Sequence, residues 1–188
     1  MARVRILDND VPVEFLKGKD GGELDRPTLL SGLDATARKI NETAWSDEER
    51  RAFSLMKKIV FFEGEVVVNG WPLTRPGCDE DDAIFYWEAN EFTSNPDADV
   101  HGNTFFHDCW HVVQFRAAGD YARGDEEPVA REVDAINRQI EVGEMLGNSE
   151  HELAHLRAFR DDQQRIRDRL REGIGKAGPH PTGFPPKD

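Results

Sequence analysis

The chain has 188 residues, enough for one domain whose core needs no disulfide support. Charged side chains make up 32% of it, and 24 basic against 37 acidic residues leave a net charge of −13. That balance argues against nucleic acid and anionic membrane surfaces as partners, and no apolar run reaches the length of a bilayer span or a signal-peptide core. With only Cys78 and Cys109 and no leader, the expectation is a cytoplasmic protein with free thiols.

In chain order, residues 1–31 hold two alternating pieces, "ARVRIL" and "VPVEFL", followed by the loop "GKDGGELDRP". A first helix is expected from about Asp34. A second starts at "SDEERRAF", where Ser46 and Glu49 form a capping-box pattern. "KIVFFEGEVVVNGWPL" changes to the period of strands, with Asn69-Gly70 as a tight turn. "RPGCDEDD" reads as loop, "AIFYWEANEFTS" as strand and "NPDADVHGN" as loop, with Asn103 or Thr104 capping the helix that follows. After the turn "GDYARGDEEP", a helix opening at Pro128 runs to about Leu146 and ends at Gly147-Asn148. The last helix carries one apolar stripe of Leu153, Leu156, Phe159, Ile166 and Leu170, which packs either on the domain or on a second subunit. The order predicts an α+β fold: one domain over 1–172, with its core at about 35–146 and its C-terminal helix at 149–172. The Gly/Pro-rich segment 173–188 is expected to be a flexible tail.

Two stretches place histidines four apart, a spacing that puts both rings on one helix face where they can share a tetrahedral zinc. "HELAH" at 151–155 spells the zinc-peptidase pattern HExxH in full. Its histidines nevertheless fall roughly 100° from the centre of the apolar stripe, on the charged side of a surface helix. The further ligand of the long metzincin form is missing, since Ala158 and Asp161 stand where that pattern needs Gly and His. It reads as two solvated histidines.

"HDCWH" at 107–111 is embedded in apolar sequence: Phe105, Phe106, Cys109, Trp110, Val112, Val113 and Phe115 surround it. A helix apolar nearly all round is a buried one. Its polar side chains, Thr104, His107, His111 and Gln114, then form a single narrow stripe. Burying such groups costs about 1–3 kcal/mol each unless something satisfies them. A metal answers that need, and a polar core histidine pair bonded to backbone or carboxylate is the plainer alternative. A third ligand is at hand: Glu132 lies on the next helix, at the edge of the stripe of Val129, Val133, Ile136 and Ile140. Two His, one Glu and an open position make a catalytic zinc set. Cys109 and Trp110 read as core.

"TFFHDCWHVVQF" followed by "AREVDAI" resembles the small gluzincin-type zinc peptidase domains of bacteria, over roughly residues 35–146. The resemblance implies a zincin-like fold, in which a small sheet with an edge strand packs on a buried active-site helix and a second helix brings a glutamate. It implies zinc (Zn2+) held by His107, His111 and Glu132, and a peptide or protein substrate laid along the edge strand, for which "AIFYWEANEFTS" is the candidate. It also implies a general base at Asp108, where the family has glutamate. Aspartate is one methylene shorter, and retracting a base by about 1 Å costs on the order of 10²-fold in rate. His101, just ahead of the helix, is a candidate alternate ligand or transition-state donor. The expected function is therefore a zinc-dependent metallohydrolase, a peptidase attacking a peptide carbonyl; the alternative is a degenerate zincin-fold module that binds metal or peptide without turnover. The pair His107-Asp108 is also similar to HD-domain phosphohydrolases, which need a further histidine, here only His101, on an earlier helix.

Overall fold

The computed structural model describes residues 2–17, 23–68, 70–118 and 126–173. Strands β1 (Ala2–Ile6) and β2 (Asn9–Leu16) form an antiparallel hairpin in which Val4, Ile6, Val11 and Val13 turn one face inward. Leu7 takes a positive φ of 53° in its turn, and Asn41 braces that turn by accepting from the Leu7 amide and donating to the Arg5 carbonyl. Helix α1 (Arg26–Glu42) begins well before Asp34, because Asp25 caps it by accepting from the Thr28 amide and a proline sits in its first turn. Helix α2 (Asp47–Leu55) has the expected capping box of Ser46 and Glu49.

Strand β3 (Lys58–Phe62) precedes the hairpin of β4 (Val66–Val68) and β5 (Trp71–Leu73). Gly70 turns it at a φ of +85°, while Asn69 lies outside the described residues. The acidic run read as a loop contains β6 (Gly77–Asp79), which pairs with β7 (Ile84–Glu88). The stretch read as one long strand is β7 and then helix α3 (Ala89–Ser94). The switch occurs at Glu88, whose carboxylate accepts from the Glu91 amide and caps the helix.

Helix α4 (Ala98–Ala118) starts more than a turn earlier than expected. Asp97 nucleates it, accepting from the Asp99 amide through its side chain and from the His101 amide through its carbonyl. Asn103 and Thr104 are therefore interior helical residues and not caps. Helices α5 (Glu126–Leu146) and α6 (Glu150–Arg171) follow. Gly147, at a φ of +88°, ends α5, and its amide and that of Asn148 both donate to the Gly143 carbonyl. Residues 119–125 of the turn before α5, and 174–188 of the expected tail, lie outside the described residues.

The five-stranded sheet runs β1-β2-β3-β7-β6, with β2, β3 and β7 parallel and antiparallel strands at both edges. Its two central strands are covered on both faces, which explains their unbroken apolar runs. Ile59, Phe61, Phe85 and Trp87 face the helical layer, while Val60, Phe62 and Tyr86 meet Val66, Val68 and Leu73 of the β4–β5 hairpin. The strand expected at the edge, β7, is thus an inner strand, because the unforeseen β6 pairs along its outer side. α4 is enclosed by α1, α2, α5 and β6, so Phe105, Phe106, Cys109, Trp110 and Val112 are all buried. α6 packs on α5 of the same chain. The architecture is α+β, and no helix among the described residues is long and apolar enough to cross a membrane.

Candidate metal centre

α4 and α5 pack side by side, and the polar stripe of α4 meets Glu132 of α5. His111 Nε2 lies 3.1 Å from Glu132 Oε2, His107 Nε2 lies 3.7 Å from Glu132 Oε1, and the two ring nitrogens are 3.0 Å apart. A zinc ion with ligands at about 2.0–2.1 Å in a tetrahedron spaces its donor atoms roughly 3.3 Å from one another. The three observed separations lie near that value, with Glu132 turning a different oxygen to each ring, so a small adjustment of the carboxylate would let these donors share such an ion. His111 and Glu132 are closed off, with side chains 3% and 5% exposed, whereas His107 at 15% marks the side open to solvent.

The histidine rings are oriented in different ways. His111 Nδ1 donates to Gln114 Oε1 at 2.9 Å. The Gln114 amide is itself fixed, because its Nε2 donates to the Arg131 carbonyl and to Asp134 Oδ2, both of which can only accept. Asp134 also accepts from Trp110 Nε1. This relay leaves His111 Nε2 turned toward Glu132 and His107. Gln139 lies beside the His107 ring, yet His107 Nδ1 is buried without a hydrogen-bond partner among the described residues.

Two imidazole nitrogens 3.0 Å apart cannot both present bare lone pairs, so without a cation a proton must lie between them. The pKa shifts say where it resides. Burial, followed by the charge on His111, lowers His107 to about 4, with Glu132 and Gln139 opposing. For His111 burial acts downward too, but the hydrogen bond and charge of Glu132, helped by Glu80 and Asp108, outweigh it and raise the pKa to about 9. The proton belongs to His111. A divalent cation would displace it and offset an acidic surrounding: Glu80, Asp108 and Glu132, whose charges all act on His111, are each at most 7% exposed. Donor set, spacing and charge all fit a metal ion. His107, His111 and Glu132 form a group that could hold one.

Comparison of the chain with family models, with curated proteins and with solved structures finds no match.

Asp108 follows His107 in the chain and is buried. Burial raises its pKa to about 7; His111 opposes the rise, and Glu132 and Glu80 add to it. It therefore exchanges a proton near neutrality. His101 is not brought to the centre. Its ring stacks on Phe92 at 4.1 Å between centroids, meets Trp87 edge-on, and places Nε2 on the Asn95 carbonyl. That is the setting of a core histidine, and it leaves the ligand set of an HD-type site unassembled around Asp108. Cys109 and Trp110 are core residues as expected.

The second pair is different in kind. His151 and His155 are exposed on α6, and no third ligand joins them among the described residues. Glu152, the second letter of "HELAH", accepts from the Ser149 amide at 2.8 Å as the far half of a capping box. The motif's glutamate is there for helix initiation. Sequence reading missed Asp79 and Glu80 as buried groups, because an acidic run between a glycine and a strand reads as solvated loop.

Proposed function

We propose that this chain is a zinc-dependent hydrolase domain of the zincin type, acting on a peptide or protein. The observation that carries the reading is the convergence of His107, His111 and Glu132 from two helices onto one small, mostly buried volume. An antiparallel edge strand, β6, in contact with α4 adds support, although at three residues it offers only a short ladder to an extended peptide.

When bound, zinc supplies Lewis acidity that polarises a carbonyl and lowers the pKa of water. The chain's own residues do the rest. Gln114 fixes the His111 tautomer, so that Nε2 and not Nδ1 faces the centre. Glu132 offers both oxygens, one toward each ring. Asp108, with a pKa of about 7, takes up a proton at its carboxylate and returns it near neutral pH, the property a general base and acid needs. The enclosure of α4 keeps bulk water from His111 and Glu132, while the more open His107 side leaves a way in.

The test is metal analysis of purified protein, wild type against His107→Ala and Glu132→Gln. About one zinc per wild-type chain, lost in both variants with the helical content unchanged, is the expected result. Negligible metal in wild type after zinc loading would sink the proposal at its first step.

A further inference from the structure

The polar stripe of α4 continues one turn toward its N-terminus, and there it borders a groove of about 360 Å³ between α4, the turn after α5, and α6. The size lies in the range of ligand pockets. Its lining combines an apolar wall of Val100, Leu156 and Phe159 with polar side chains that include His155 and three oxygen acceptors. Asn103 is 2% exposed, and its Oδ1 is buried with no hydrogen-bond partner among the described residues; Asn148 Oδ1 is in the same position. An orphaned buried acceptor is unfavourable, and a donor brought into the groove would relieve it. The packing holds Asn103 in place: Gly143 of α5 lies so close that a methyl group there would come within 2.7 Å of Asn103 Nδ2. The third acceptor is Glu152, whose Oε2 caps α6 while its Oε1 takes no hydrogen bond among the described residues.

Among the described residues no lysine or arginine lines the groove. The C-terminus of α5 and the N-terminus of α6 meet beside it, so their opposed end charges largely cancel. Beside the imidazole of His155, the lining offers two unfilled carbonyl-type acceptors, one carboxylate and an apolar wall, on a chain of net charge −13. The occupant such a lining selects has a hydrogen-bond-donating cationic head and an aliphatic stem. The geometry points to a pocket for the side chain of a lysine or arginine in a bound peptide. Gln139 lines the groove and also adjoins His107, which puts the pocket next to the candidate metal centre. As a specificity subsite it rests on the hydrolase reading; as a binding pocket it does not.

The experiment is an NMR titration of full-length protein stripped with EDTA, repeated after zinc loading. The probe is N-acetyl-lysine methylamide, with N-acetyl-norleucine methylamide as its uncharged counterpart and 1,5-diaminopentane as a free amine. The lysine probe is expected to shift the Asn103 and Asn148 side-chain amides in stripped protein and to bind at least about tenfold more tightly than the norleucine probe. Asn103→Ala and Glu152→Gln should each weaken it by a similar factor. Glutamine keeps the capping box, so that variant reads the charge and not the fold. Equal binding of both probes, no binding by wild type, or binding indifferent to Glu152→Gln would overturn the pocket. Tighter binding of the free diamine than of the lysine probe would overturn the peptide assignment. Because the stripped protein is measured first, failure of zinc binding and failure of this pocket are separate results.

Discussion

Gln114 holds His111 from behind: its Oε1 accepts from the ring Nδ1 at 2.9 Å, while its Nε2 is tied to the Arg131 carbonyl and to Asp134 on α5. The ring is therefore locked in the tautomer that presents Nε2 to the candidate metal position. Removing such a partner behind a metal-ligating histidine costs about 10–100-fold in metal affinity. Gln114→Ala should lower zinc affinity by that factor, measured by competition with a chromophoric chelator. An unchanged affinity would mean that His111 needs no such support or is not a ligand.

The proton on His111 sets the pH dependence. Metal needs both Nε2 lone pairs; His107 is already neutral above about pH 4, but His111 keeps its proton up to about 9. Loading zinc at pH 7.5 should then release about one proton from the pair, and apparent affinity should climb by about tenfold per pH unit until it levels near pH 9. An indicator dye in weakly buffered solution reads the release. The metal-free protein should show the reverse trend in stability. Because the folded pKa of His111 lies above its unfolded value, its contribution to stability is complete below about pH 6.5 and is lost as pH rises through about 9. Asp108 is about half ionised at pH 7 and mostly ionised by pH 8, so urea midpoints of metal-free protein between pH 8 and 9 should fall, and the fall should be smaller in His111→Asn, where only the buried thiols of Cys78 and Cys109 still contribute.

Asp108→Glu separates binding from turnover. The substitution extends the carboxylate by one methylene toward the reach that the resembled family uses. If the short side chain is what limits hydrolysis, activity on an unstructured protein substrate should rise on the order of 10²-fold, with zinc content unchanged. No activity in either form, with zinc bound in both, would assign the chain to the non-hydrolytic alternative.

The sequence made the centre legible because burial and polarity conflicted there. Thr104, His107, His111 and Gln114 form a polar line along a mostly apolar, buried stretch of helix, and Glu132 sits at the edge of the facing stripe. Where local and long-range effects compete, the reading failed. Glu88 looks like one more residue of a strand, and only its cap on the Glu91 amide converts the following segment to helix. β6 is three residues long and takes its identity from pairing with β7, which no periodicity in "GCD" could announce. The edge position passed from β7 to β6 for that reason alone. His101 was misplaced by the same error, since a helix assumed to start after it left it free on a loop.

The capping role of Glu152 accounts for the perfect spelling of "HELAH". Ser149 and Glu152 satisfy each other's backbone amides, and the two histidines flank that glutamate on an exposed face. If helix initiation explains the motif, His151→Ala with His155→Ala should leave zinc content unchanged. Glu152→Ala should destabilise the protein by about 1 kcal/mol, the usual worth of a cap, while Glu152→Gln should cost only a few tenths. Chemical denaturation of the variants, beside metal analysis of each, checks both halves. Zinc lost from the double histidine variant, with α6 intact, would return the metal site to α6 and remove it from α4.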